Sequence, residues 1–291
     1  MTISVLEFGA VGNGSGDDTQ TIQSALDSQY NVIVIPAGRT FCVSSLRLPP
    51  NKTMLLGGTL SLIDASGTSP IVEISSGSRI LGNFTGRITG NNLGMKSAIA
   101  TSNASNVVID GISIDNINGG GIVNYQSGRD WVVKNCRIYN VKGHAIAPEY
   151  VSNLLIADNI VNTALHGIMW YGGDAAITSQ RKVENIRISG NSVANVMGGI
   201  WGTLGSHISI VNNHVIYCSD VGIDFEGCSL FTATGNTAAE CKNGCYAVFY
   251  SSERGVITGN TGLNYSYPAS CYYNHRNTSK LMTVQNNAFN R

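Results

Sequence analysis

The fold is decided by Leu154-Leu155-Ile156-Ala157-Asp158-Asn159, which returns as Ile186-Arg187-Ile188-Ser189-Gly190-Asn191 and again as Ile208-Ser209-Ile210-Val211-Asn212-Asn213. Each time a short apolar run ends in an asparagine. Followed along the chain, the marker falls at Asn135, Asn159, Asn191, Asn213, Asn236, Asn260 and Asn287, with Gly111 in the equivalent place one copy earlier. The steps are 24, 24, 32, 22, 23, 24 and 27 residues. A fixed period of this size marks a stacked, quasi-one-dimensional fold. About eight residues after the marker a glycine opens a second short run, at Gly143, Gly167, Gly199, Gly222 and Gly244, with Gly121 a looser match. Alternation over four or five residues specifies strand, and the copies show no 3.6-residue period. The 34 Gly and 30 Asn in 291 residues supply the left-handed turns between strands. Two or three short strands per turn, stacked about 4.8 Å apart, make a parallel β-helix with an amide ladder of asparagines inside one turn. A propeller blade needs about 40 residues, and leucine-rich repeats need regular leucines that this chain lacks.

Composition narrows the functional classes. Lys plus Arg equals Asp plus Glu, 18 each, which gives no bulk attraction to nucleic acid or to a membrane surface. No apolar run approaches the roughly 18 residues of a membrane span. The N-terminus shows neither a basic leader nor an apolar signal core, so no secretion signal is expected; a virion-associated protein, or one made in the cytoplasm and released, fits equally. Seven cysteines at no metal-binding spacing read as reduced thiols, and no metal or cofactor is expected. Cys218 and Cys241 each follow their marker by five residues and should stack in adjacent coils.

The opening differs from the rest. Thr21-Ile22-Gln23-Ser24-Ala25-Leu26 has helical spacing, with Asp17 or Asp18 as its cap. Such a helix would cover the apolar end of the first coil, as solenoids require. The expected organisation is a cap over residues 1–30, a β-helix over 31–270 and a final coil over 271–291, one domain in all.

Phe8-Gly9-Ala10-Val11-Gly12-Asn13-Gly14, then Asp17-Asp18-Thr19, then Val34-Ile35-Pro36-Ala37-Gly38, resembles the opening of the pectate-lyase-like superfamily. That group includes polygalacturonases, alginate epimerases and phage tailspike depolymerases. The resemblance implies an all-β, right-handed, single-stranded parallel β-helix and a polysaccharide substrate. The opening aspartates are structural in that family. The polygalacturonase motifs are absent: only Gly143-His144-Ala145 and Gly222-Ile223-Asp224 echo them, in an unsuitable order. Where alginate epimerases carry Asp-Pro-His-Glu, this chain has Ala147-Pro148-Glu149-Tyr150, keeping the proline and an acid.

The glycine register sorts the second strand of each coil. Positions one and three should point inward: His144/Ile146, Ile168/Trp170, Ile200/Gly202, Ile223/Phe225 and Cys245/Ala247. Positions two and four should point outward: Ala145/Ala147, Met169/Tyr171, Trp201/Thr203, Asp224/Glu226 and Tyr246/Val248. Trp170 and His144 fit the inward set badly, which implies bulged coils or side chains facing the groove. Asp224 and Glu226 lie about 6.6 Å apart between Cα atoms on one face. Side-chain rotation can place their carboxyls at the roughly 6.5–9.5 Å that an inverting glycosidase needs, and mutual repulsion would raise one of them into an acid. The plain alternative is an exposed acidic face that keeps the protein soluble. Trp201, Tyr171, Trp170 and Tyr246 supply sugar platforms on neighbouring coils. The 32-residue step holds an insertion over 172–182, expected to wall the groove and to bring Asp174 and Arg181 to substrate. Glu149, His144 and His166 are weaker candidates, since a lone histidine is more often structural than catalytic.

Between Ile188 and Glu253 stand five acids and one base, Lys242. A lyase on a uronate glycan needs positive charge and a base, so glycoside hydrolysis ranks first. A lyase centred on His144, His166 and Tyr171 ranks second. The rival from another class is a non-catalytic glycan-binding or fibre protein. Long flat faces also allow oligomers, a homotrimer among them.

Overall fold

The computed structural model describes residues 1–180, 182–264, 266 and 271–290. Among them the chain winds a parallel β-solenoid of about eleven turns with a single α-helix. One sheet of twelve strands runs from Thr2–Ser4 to Thr283–Gln285. The other strands form two further columns, which become continuous where Ile160–Tyr171 and Ser192–Thr203 run through the corner between them. Pairing is parallel and in register from coil to coil, for example Ile186 with Ile208 and Ile208 with Phe231. The interior is a stack of like side chains, among them Ile146, Ile168, Ile200 and Ile223, all fully buried.

The asparagine ladder exists, shifted by one residue at its start. Asn159 Nδ2 donates to Asn191 Oδ1 at 2.9 Å, and the relay continues through Asn213, Asn236, Asn260 and Asn287 at 2.9–3.0 Å. Cys136, rather than Asn135, occupies the equivalent place one coil earlier, where its backbone N–H donates to Asn159 Oδ1. Asn135 belongs to the preceding position, as do Asp158, Gly190, Asn212, Gly235, Gly259 and Asn286. All of these take φ between 53° and 68°. That left-handed turn selects Gly, Asn or Asp, so two asparagine positions with different tasks lie side by side.

The helix, Thr19–Asp27, buries Ile22, Ala25 and Leu26 against the first coils. Its cap differs from expectation. Asp18 stands at the N-cap without a side-chain cap bond and instead accepts from Val11 N and Gly12 N at 2.6 and 3.1 Å. Asp17 accepts from Thr19 N at 2.9 Å. Asp18 thus fastens the opening loop and Asp17 holds the first residue of the helix, both structural tasks.

All seven cysteines are buried and free. Cys218, Cys241, Cys245 and Cys271 sit in the core of the last coils. Gly262 leaves the space for one of them, since a Cβ there would fall 2.0 Å from Cys271 Sγ.

Candidate active site

The strand Ile223–Glu226 lies between Ser192–Thr203 and Tyr246–Phe249, with Trp201 and Ala247 flanking Asp224, and Thr203 and Phe249 flanking Glu226. Ile223 and Phe225 are fully buried in the core, so strand alternation turns Asp224 and Glu226 to the opposite face. That face is concave. Thr203 and Ala247 on it are 3% and 0% exposed, and Asp224 itself is 8% exposed. The two carboxyls therefore lie in a cleft of about 380 Å³, bordered also by Asp220, Asn243, Phe249, Tyr250, Tyr273 and His275.

Electrostatics separate the two acids from ordinary surface carboxylates. Asp224 Oδ1 is buried and has no hydrogen-bond partner. Burial first, and then the charges of Glu226 and Asp220, hold its pKa well above the usual carboxylate range. Glu226 is pushed up to about 7, by burial first and then by Asp174 and Asp220. The repulsion that raises Glu226 comes from the outer acids Asp174 and Asp220. Asp220 is itself held by Asn243, whose Nδ2 donates to Asp220 Oδ1 at 2.8 Å.

Upstream the groove floor continues through Ala100, Val123, Ala147 and Met169, one per coil and nearly fully buried, to Trp201. Tyr171 and Trp201 pack against this strip. His144 and His166 are register partners, and the rings of His144, His166 and Trp201 follow one another at centroid spacings of 5.0 and 5.0 Å. Burial lowers the pKa of both histidines, His166 to about 4. Across the strip, Tyr150 meets Tyr171 edge-on at 5.5 Å, and Glu149 bridges to Tyr171. Burial raises the Glu149 carboxyl. Glu149 shares a column with Tyr171, Thr203 and Glu226 and lies three coils from the pair, about 14 Å along the axis.

Two expected platforms are core residues instead. Trp170 is fully buried and packs on Phe225 at 5.9 Å, in the cavity that Gly202 leaves open. Alternation from Ile168 places it inside after all. Tyr246 is also fully buried, its hydroxyl 2.9 Å from both Asn236 O and Thr261 O. It aligns with Ile223, so Gly244 is not the equivalent of Gly222 and that coil is displaced by one residue. In the earlier coil Ile146 aligns with Ile168, so Gly143 stands two places before the equivalent of Gly167 and His144 joins the outer rings.

The insertion serves the other end of the groove from Glu149. Residues 175–179 border a second cavity of about 400 Å³ with Tyr250, Ser251, His275, Arg276 and Thr278. Asp174, at its root, raises the Glu226 pKa and accepts from Ala176 N at 2.8 Å. Arg181 lies outside the described residues.

Sequence reasoning missed Tyr250, Tyr273 and His275. Tyr273 follows Ala247 in the floor column, and its hydroxyl lies 3.1 Å from His275 Nδ1. Tyr273 and His275 belong to the coil with the 27-residue step and no marker glycine, and Tyr250 lies beyond the four positions counted from Gly244, so no register reached them. Asp220 had a signal, a fixed offset of four residues before Asp224.

A profile of the rhamnogalacturonase A/epimerase, pectate lyase-like family matches residues 2–246. The chain belongs to this family. Mannuronan C5-epimerase AlgE4 of Azotobacter vinelandii is 28% identical over 174 residues, which is 56% of this chain and 30% of that protein. The match thus spans less than a third of that relative's length. The solved A-module of AlgE4 superposes over 100% of this chain and 96% of its own, with a TM-score of 0.74 and 16% identity. An exopolygalacturonase from Thermotoga maritima covers 100% of this chain and 92% of its own at TM-score 0.68 and 14% identity. A tailspike protein of E. coli bacteriophage HK620 covers 98% and 65% at 0.64 and 14%. At these identities the solved structures share the fold alone. Members of this family and its structural neighbours act on polysaccharides, with differing chemistries.

Proposed function

We propose that this protein is a glycoside hydrolase that cleaves a polysaccharide at the Asp224–Glu226 pair. The observation that carries the reading is the buried, unpartnered Asp224 carboxyl beside Glu226 in an acid-rich cleft. Asp224, whose burial favours the protonated carboxyl, is the general acid that donates to the leaving glycosidic oxygen. Glu226, once ionised, is the base that takes a proton from the attacking water. Side chains on Cα atoms about 6.6 Å apart can set their carboxyls at the roughly 6.5–9.5 Å that leaves room for that water, and the reading therefore includes inversion at the anomeric carbon. The resemblance to an exopolygalacturonase supports hydrolysis on this fold, and the resemblance to mannuronan epimerases keeps a polyuronate enzyme as the rival. That rival is disfavoured by Ala147-Pro148-Glu149-Tyr150 and by the acidity of the cleft, which among the described residues is bordered by no lysine or arginine to neutralise a uronate carboxylate.

The test is a polysaccharide panel read for new reducing ends and for the ultraviolet absorbance of unsaturated uronates, with the anomer of the first product followed by proton NMR. Hydrolysis predicts reducing ends, no unsaturation and an inverted first product. Unsaturated product would instead move the site to His144, His166 and Tyr171. Binding with no product would make the protein a glycan-binding or structural one.

A further inference from the structure

We propose that the groove leading to the carboxylate pair receives an uncharged glycan, with the rings of His144, His166 and Trp201 as its sugar-binding platform. This rests on the hydrolase reading for where the chain is cut, but the platform and its selectivity stand on separate observations.

The first is the arrangement of the rings. His144 and His166 occupy equivalent places on successive coils, and the next place in that column is Gly198. A Cβ at Gly198 would fall 2.8 Å from His166 Nδ1 and 3.1 Å from Trp201 Cδ1. The missing side chain lets the Trp201 indole meet His166, and so joins the imidazoles to the residue directly beside Asp224. Three rings on successive coils span about 10 Å and end at the proposed cleavage point. Aromatic faces are good partners for the apolar faces of sugar rings.

The second is charge. His144 Nδ1, His166 Nδ1 and Trp201 Nε1 are all buried without partners, and both imidazoles remain neutral around pH 7. The opposite rim presents Glu149, and the cleft presents Asp220 and Glu226. Among the described residues no lysine or arginine borders this cleft; Arg276 borders the adjoining cavity under the insertion. A uronate carboxylate about 5 Å from one ionised acid, at an effective dielectric near 20, would bind roughly 250-fold more weakly than its neutral counterpart. Neutral hydroxyls meet no such penalty.

The test uses the full chain carrying Asp224→Asn, so that bound glycan stays intact, on an array of neutral and uronate-bearing oligosaccharides, with and without calcium. The expected result is binding to neutral glycans. It should weaken at least tenfold in Gly198→Ala and Trp201→Ala, with most of it kept in Trp201→Phe. Circular dichroism checks that each variant folds; should Gly198→Ala fail, the two Trp201 variants decide. Binding confined to uronates, binding indifferent to Trp201, or no binding at all would overturn the proposal. Neutral-glycan binding by a protein whose wild type yields no product would sink the hydrolase reading and support this one.

Discussion

At the level of single residues, the site works against the stability of the fold. Glu226 has a folded pKa of about 7, above its ordinary 4.5. The native state therefore holds more protons than the unfolded chain between those values, and its stability falls as pH rises through that window. The loss is at most about 3 kcal/mol for this group. Glu226→Gln should thus raise the melting temperature at pH 8 and leave it nearly unchanged at pH 5. His166 acts in the opposite sense, since its folded pKa is depressed to about 4, so stability drops as pH falls below about 6.5. Thermal melts of the wild type and Glu226→Gln across pH 5 to 8 check the sign. In the proposed mechanism the same ionisation sets activity: the rate should rise through an apparent pKa near 7, and a limb near 4.5 would contradict the role given to Glu226. The ladder offers a second residue-scale prediction. Asn213 donates to Ile188 O, Val211 O and Asn236 Oδ1, and its own Oδ1 accepts from Asn191. Asn213→Ala leaves these buried groups unpaired and should cost about 3 kcal/mol or more, measured by urea unfolding.

At the level of the strand, small residues decide what faces where, and this sets how far the sequence could be read. Alternation assigned Asp224 and Glu226 to the outer face because Gly222 and Gly199 hold the same register. It failed at Tyr246 because Gly244, with φ 113°, sits in a loop one residue out of step. A period counted from glycines cannot see a one-residue displacement, and in a strand one residue exchanges inside for outside. Asn135 misled in the same way, since the ladder and the left-handed turn both favour asparagine. Trp170 looked too large for the interior because its space comes from Gly202 on the next coil. Gly202→Ala would set a Cβ 2.2 Å from Trp170 Cδ2. It should destabilise by about 1–3 kcal/mol or more and shift the tryptophan emission, in contrast to Gly198→Ala, whose neighbours lie on the outer face. Comparing the two by fluorescence and urea melts separates packing from platform.

At the level of the molecule, the repeat made the fold legible and hid the ends of the site. The period, the glycines and the opening motif gave the solenoid and its helical cap. The cleft, however, is assembled from four unlike parts: the strand with Asp224 and Glu226, the turn with Asp220, the root of the insertion at Asp174, and the last coils with Tyr273 and His275. Only the first has a repeat register, and Tyr273 and His275 lie beyond the segment matched by the family profile. The proposed site is thus built from departures from the repeat. The most direct measurement of the central claim is the reducing-end release rate, on the polysaccharide that the wild type cleaves, for Asp224→Asn and Glu226→Gln. Both variants should fold, melt no lower than the wild type at pH 8, and lose about 10²–10⁴-fold in kcat. A folded variant of either acid that cleaves at the wild-type rate would contradict the account.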